Sequence, residues 1–288
     1  MTRSFLNIGM KDMKKIAVCC AAIIFSAGFF ILAKKPAVHS LKNIVVMDSV
    51  KNKMQVEIWS DVMCPFCYIG KRRFEKALAQ FSEREHVGLV WKSYQLSPDM
   101  KTDTTLSIHQ YLAEHKGMSL QEAGRLNDQV TQMAAREGLV YNFDRSVVAN
   151  SFNAHRFAHF AKKHGRQDEA EERLFQAYFT EGKNIDDYAT LVQLGAEIGL
   201  DAAALKSALE SGLYADDVRN DILEAQQIGV RGVPFFVFNR KYAVSGAQES
   251  EAFLQTLEKS FTEWRKENPL TRLEVLEGPS CTPDGVCD

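Results

Sequence analysis

A chain of 288 residues, 45% hydrophobic and 25% charged, can bury a sizeable core as one elaborated domain or two modest ones. The formal net charge of -2 hides an asymmetry: residues 1–40 hold six basic residues against one acid, Asp12, which leaves 29 basic and 36 acidic residues beyond. A mildly acidic body without a basic run excludes nucleic acid as an expected partner, and six cysteines are too few for a disulfide-stapled scaffold of this size.

Residues 16–33 form an apolar run without a charge, preceded by Lys11, Lys14 and Lys15 and followed by Lys34 and Lys35. At about 1.5 Å per helical residue, the run just crosses a hydrocarbon core of about 30 Å. The basic flank keeps the N-terminus cytoplasmic and sends the body outward. Ile31, two residues before Ala33, is a poor residue for a small-x-small cleavage site. The expectation is an uncleaved signal anchor over residues 1–35, ahead of a removed signal peptide, with the membrane as a partner. If the segment is not used, the body is cytoplasmic. Cys19 and Cys20 read as apolar filler, and residues 36–53 as a polar tether.

Alternation over Met54–Trp59 predicts a half-buried strand. From Pro65 to Phe81, Ile69, Phe74, Ala77, Leu78 and Phe81 recur at helical spacing. Val87–Tyr94 predicts a second strand. Residues 100–228 read as an all-helical insertion, with Ser119 and Glu122 forming a capping box. Strand character returns over residues 229–238, followed by a hairpin turn at Asn239-Arg240-Lys241, a strand over Tyr242–Ser245 and an amphipathic helix over Ser250–Trp264. A tail over residues 267–288 contains Cys281 and Cys287.

The chemistry concentrates where strand gives way to helix, at Cys64-Pro65-Phe66-Cys67. A helix N-terminus offers unpaired N–H groups and a partial positive charge, so it favours the thiolate form of a cysteine placed there. This points to thiol–disulfide exchange. A structural zinc site shared with Cys281 and Cys287 is the weaker alternative, because structural ligands rarely open a helix behind a strand. His155 and His159 lie four residues apart but lack the glutamate of an H-E-x-x-H motif, so they read as a helical surface patch and no metal is expected.

This order of elements resembles the DsbA family, a thioredoxin-like α/β fold with an inserted all-helical domain. Four stretches make the chain similar to its FrnE-like branch: Ser60–Lys71, Asn150–Arg156, Tyr178–Gly182 and Gly229–Phe236. The resemblance implies that Cys64 is the nucleophile and Cys67 the resolving thiol. It also implies that Pro234 is a cis proline facing them, with the Val233 backbone free to pair with an extended substrate. Pro65, Phe66, Asn150, His155 and Arg156 are candidates for the groove. Protein thiols and disulfides are the expected substrates, alongside an unidentified recycling partner, and no cofactor is expected beyond the redox-active pair. Glutathione is a candidate small-molecule partner. Cys281 and Cys287 flank Thr-Pro-Asp-Gly-Val, whose turn chemistry suits a local disulfide that either exchanges with Cys64 and Cys67 or pins the C-terminus. Two other functions stay open: a glutathione-dependent isomerase or transferase of the 2-hydroxychromene-2-carboxylate isomerase and kappa classes, which share this fold, and a non-catalytic anchored binding or chaperone module.

Overall fold

Strand β1 (Met54–Ser60) is the spine of the molecule, buried on both faces from Val56 to Ser60. The computed structural model describes residues 53–269. The expected anchor, nearly all of the tether, and the Cys281 and Cys287 pair lie outside these residues. Among the described residues, no helix is long and apolar enough to cross a membrane. β1 runs parallel to β2 (Val87–Ser93) and antiparallel to β5 (Phe235–Phe238), which pairs with β6 (Tyr242–Ser245), giving the sheet order β2-β1-β5-β6.

The period-2 geometry of β1 sends Val56 and Ile58 to one face and Glu57 and Trp59 to the other. Helix α1 (Pro65–Gln80) and the last helix, α9 (Ser250–Glu267), pack together at the sheet. Phe74, Phe236 and Phe253 meet there, with ring centroids 4.6–5.8 Å apart. On the opposite side of β1, Trp59 packs with Ala225, Val230 and Val237, and its indole N–H donates to the Asp221 carbonyl at 3.0 Å. Burying one such aromatic side chain is worth about 1.5–3 kcal/mol, against about 0–1 kcal/mol for an exposed ion pair. Apolar packing therefore dominates the sheet. The β5–β6 turn falls at Asn239 and Arg240, both at positive φ, and Arg240 reaches back to Glu57 and Glu224.

Between β2 and β5 lie α2 (Ile108–Lys116), α3 (Leu120–Arg136), α4 (Phe152–Lys163), α5 (Gln167–Phe175), α6 (Tyr188–Glu197), α7 (Ala202–Glu210) and α8 (Ala215–Gln227). The insertion is not all-helical, contrary to the sequence expectation. β3 (Asp103–Ser107) and β4 (Val147–Val148) form a two-stranded antiparallel ladder. Thr104, Thr105, Val147 and Val148 are β-branched and favour extended backbone, but two or five residues are too few for alternation to show. The capping box at Ser119 and Glu122 forms, and a second one forms at Ser107 and Gln110.

Beyond α5 the chain widens into a π-helical turn, Gln176–Glu181, which ends at Gly182 with φ 69°. A side chain at Gly182 would meet the Arg145 carbonyl oxygen, so both the close approach and the left-handed backbone require glycine. The wide turn leaves the Phe179 and Thr180 carbonyls free to accept the Asn142 backbone and side-chain N–H groups, each at 2.7 Å. It also brings Phe179 under Tyr141, with ring centroids 4.5 Å apart, while Phe175 stacks on Tyr68 of α1 at 4.9 Å. These rings belong to one hydrophobic core that runs from the sheet into the insertion.

Ion pairs reinforce the same junction. Glu172 of α5 accepts from Tyr68 at 2.6 Å and Arg72 at 2.9 Å, and pairs with Lys71 at 3.0 Å. Burial opposes its charge, but these partners prevail and hold its carboxyl down at about 2. A carboxyl lowered from its unfolded value contributes stability that is present above about pH 4.5 and lost as pH falls through the folded value. Glu172→Gln is therefore expected to lower the melting temperature at pH 7. Calorimetry from pH 7 to 2 should show the gap to wild type closing as Glu172 protonates; a gap constant with pH would contradict this account.

Candidate active site

Cys64 is the N-cap of α1, in extended conformation (φ -85°, ψ 112°), and Pro65 occupies the first turn, where its missing N–H costs nothing. Two backbone bonds shape the turn: Cys64 N–H donates to the Asp61 carbonyl at 2.9 Å, and Cys67 N–H to the Cys64 carbonyl at 3.0 Å. The first turn of α1 carries no acidic residue, so no carboxylate there opposes a thiolate. From the insertion, the Tyr141 hydroxyl donates to the Pro65 carbonyl at 2.7 Å and fixes the turn from the other side.

Both cysteines are free thiols, Cys67 fully buried and Cys64 3% exposed. Burial, followed by the neighbouring Cys64 sulfur, pushes the Cys67 thiol well above its ordinary value, and the Ser60 hydroxyl and the Asp61 backbone offset part of that. Cys67 thus stays protonated while it is shut in.

The opposite wall comes from the far end of the chain. The Val233–Pro234 peptide bond is cis, and the Cys64 thiol donates to the Val233 carbonyl at 3.5 Å. α1 can come this close because residue 70 is glycine. A Cβ there would lie 2.9 Å from the Pro234 ring and 3.5 Å from both Ala247 and Phe236.

The structure thus brings Cys64, Cys67, Pro65, Val233 and Pro234 together, and leaves Phe66 partly exposed beside them. Asn150 bonds none of these residues. Its side chain accepts from Gln95 at 3.0 Å and Phe152 N–H at 2.8 Å and donates to Met100 at 2.8 Å, and it lines a cavity of ≈ 780 Å³ with Gln95, Arg219 and Leu223. The cavity is lined by none of Cys64, Cys67, Val233 and Pro234.

Two expectations need correction. His155 and His159 are not a surface patch: they are 1% and 7% exposed. Each faces a buried carboxylate, His155 at 3.7 Å from Asp61 and His159 at 3.0 Å from Asp221, because α4 is enclosed by α5, α6, α7 and α8. Arg156 does not line the groove. Its guanidinium donates to the carbonyls of Ala208, Leu209 and Leu213, satisfying the C-terminal end of α7. The sequence reading missed Asp61, Gly70, Tyr141 and Glu171. A usable signal existed only for Asp61, a charged residue three positions before Cys64.

A DSBA-like thioredoxin domain model matches residues 55–258. The chain belongs to the DsbA family. This DsbA-family chain is 38% identical to a probable DsbA oxidoreductase from Streptomyces coelicolor of known structure, with TM-score 0.68, covering 82% of this chain and 98% of that one. It is 30% identical to the uncharacterized protein YwbO of Bacillus subtilis over 206 residues, which are 69% of this chain and 94% of that protein. A 2-hydroxychromene-2-carboxylate isomerase shares the fold at 17% identity and TM-score 0.52, over 76% of this chain and all of that one.

The Gly70–Pro234 contact sets a test. Alanine for glycine inside a helix is worth about 1 kcal/mol in propensity, whereas overpacking costs about 1–3 kcal/mol. Pro234 has no flexible end to swing away, so the loss prevails. Gly70→Ala is expected to lower stability by roughly 1 kcal/mol, about 2–4 °C in melting temperature for a domain of this size. A variant as stable as wild type in urea titration would show that the contact relaxes without loss.

Proposed function

We propose that this chain is a thiol–disulfide oxidoreductase acting on protein disulfides through Cys64 and Cys67. The observation that carries this reading is the pairing of Cys64, at a helix N-terminus against the Val233 carbonyl, with a fully buried Cys67 one turn inside. The Cys64 thiolate attacks one sulfur of a substrate disulfide. A Cys64–substrate bond forms, and the other substrate sulfur leaves as a thiolate with the electron pair of the broken bond. Cys67 then gives up its proton and attacks the Cys64 sulfur, closing the Cys64–Cys67 disulfide and expelling the second substrate thiolate. The substrate gains two electrons and the enzyme pair loses them; the same steps in reverse oxidise a dithiol. Closure is intramolecular, so the mixed disulfide is short-lived.

Val233 supplies backbone groups beside the sulfur, which suit an extended polypeptide better than a compact small molecule. The direction of net transfer follows from the potential of the pair relative to its recycling partner, whether a protein or glutathione. Placement outside the cytoplasm rests on the apolar run of residues 16–33, which would tether the enzyme to a membrane. In an insulin-reduction assay, Cys64→Ser is expected to abolish turnover, and Cys67→Ser to trap substrate as a mixed disulfide visible on a non-reducing gel. Full activity in Cys64→Ser, or a glutathione-dependent isomerisation that survives it, would overturn the exchange mechanism.

We further propose that Cys281 and Cys287 form an auxiliary pair that exchanges with the central one. The double Ser variant is expected to slow steady-state turnover several-fold while single-turnover reaction at Cys64 is unchanged. Equal steady-state rates would reduce the pair to a local staple.

A further inference from the structure

Three buried ionisable side chains act on one another near the Cys64 turn. Asp61 precedes α1, His155 lies on α4 and Glu171 on α5, and they are 0%, 1% and 3% exposed. Asp61 accepts the Met63 N–H at 3.2 Å and the Leu96 N–H at 2.8 Å, and its Oδ1 lies 3.7 Å from His155 Nε2. Neither His155 Nε2 nor Glu171 Oε2 has a hydrogen-bond partner. A buried polar atom without a partner costs about 1–3 kcal/mol, and more when charged. Asp61 is bonded into the turn that carries the thiols, since its backbone carbonyl accepts the Cys64 N–H at 2.9 Å.

We propose that His155 and Glu171 are positioning residues for the thiol chemistry: through Asp61, the charge they hold sets how readily the Cys64–Cys67 pair forms thiolate. This rests on the exchange reading of the site.

Burial pushes the Glu171 carboxyl up to about 7, with His155 the main opposing influence. Burial works against a charged His155, but Asp61 and then Glu171 outweigh it and hold the imidazole above its ordinary range. Other groups bear on the cluster from the elements around it: Asp168 on α5 and Lys71 on α1 act on Glu171, the Tyr94 backbone at the end of β2 favours charged His155, and Tyr178 of the π-helical turn lies within reach of Asp61. Asp168 and Lys71 pair with each other at 3.7 Å. In acid, a charged His155 balances Asp61 while Glu171 is neutral. As pH rises through neutrality, Glu171 ionises first or His155 loses its proton, and the cluster becomes net negative near the Cys64 turn. Anionic sulfur is then disfavoured over the interval in which exchange requires it.

The two residues therefore carry opposite signs, and their isosteric variants should move the thiols in opposite directions. The experiment titrates the reduced full-length protein by thiolate ultraviolet absorbance and by iodoacetamide alkylation rate, from about pH 4 to 9. Removing one charge from a site of effective dielectric about 20 is expected to change the thiolate population on the order of 3- to 10-fold. Glu171→Gln should raise it near neutral pH, and His155→Gln should lower it in mild acid. Loss of packing alone would shift both variants the same way, and that result, or profiles matching wild type, would overturn the proposal. If His155→Gln does not fold, Glu171→Gln decides alone: an unchanged or lowered thiolate population would refute the inference. Neither readout needs substrate or turnover, so failure here is distinguishable from failure of the exchange assay.

Discussion

One fully buried carboxylate ties the parts of this molecule together. Asp61 holds the N–H groups of Met63 and Leu96, so the turn that presents Cys64 and the segment leaving β2 share an anchor. His155 on α4 faces the same oxygen atoms. A carboxylate in the interior is costly unless hydrogen bonds and an opposite charge surround it. The insertion therefore does more than cover the thioredoxin-like sheet. It contributes the imidazole beside Asp61, the hydroxyl of Tyr141 on Pro65, and the aromatic rings that continue the core through Tyr68.

The two cysteines differ because their surroundings differ. Cys64 ends a loop and faces the backbone of Val233; Cys67 sits inside the first helical turn with no exposure. The approach of α1 to Pro234 across Gly70 sets the spacing between reactive sulfur and opposing strand. Removing a single methyl group from position 70 is thus part of the architecture of the site, although the residue touches no sulfur.

Much of this was legible in the sequence. Alternation gave β1, an apolar run gave β2, helical spacing gave α1 and α9, and the Cys-x-x-Cys pair stands at the strand-to-helix junction where the sequence puts it. Val233-Pro234 was legible only by resemblance, since no local pattern says that residue 234 faces residue 64. The failures share a physical cause. Strands β3 and β4 are too short to show a period. The burial of His155 and Arg156 depends on which elements close over α4, a tertiary fact that helical spacing does not carry. Glu171 stands in the acidic run Asp168-Glu169-Ala170-Glu171-Glu172, where composition alone suggests a solvated face, yet Glu171 points inward and Glu172 bridges to α1.

The wall opposite Cys64 stands 170 residues later in the chain, and this separation has a consequence for synthesis. At roughly 5–20 residues per second, the ribosome delivers Pro234 about 10–30 s after Cys64 has emerged. Throughout that interval β1 lacks its antiparallel neighbour β5, and the aromatic cluster around Phe74 lacks Phe236 and Phe253. A nascent chain of this design exposes an unpaired strand edge and an oxidisable thiol pair together, so the redox poise of the compartment in which it emerges acts on Cys64 before the fold does.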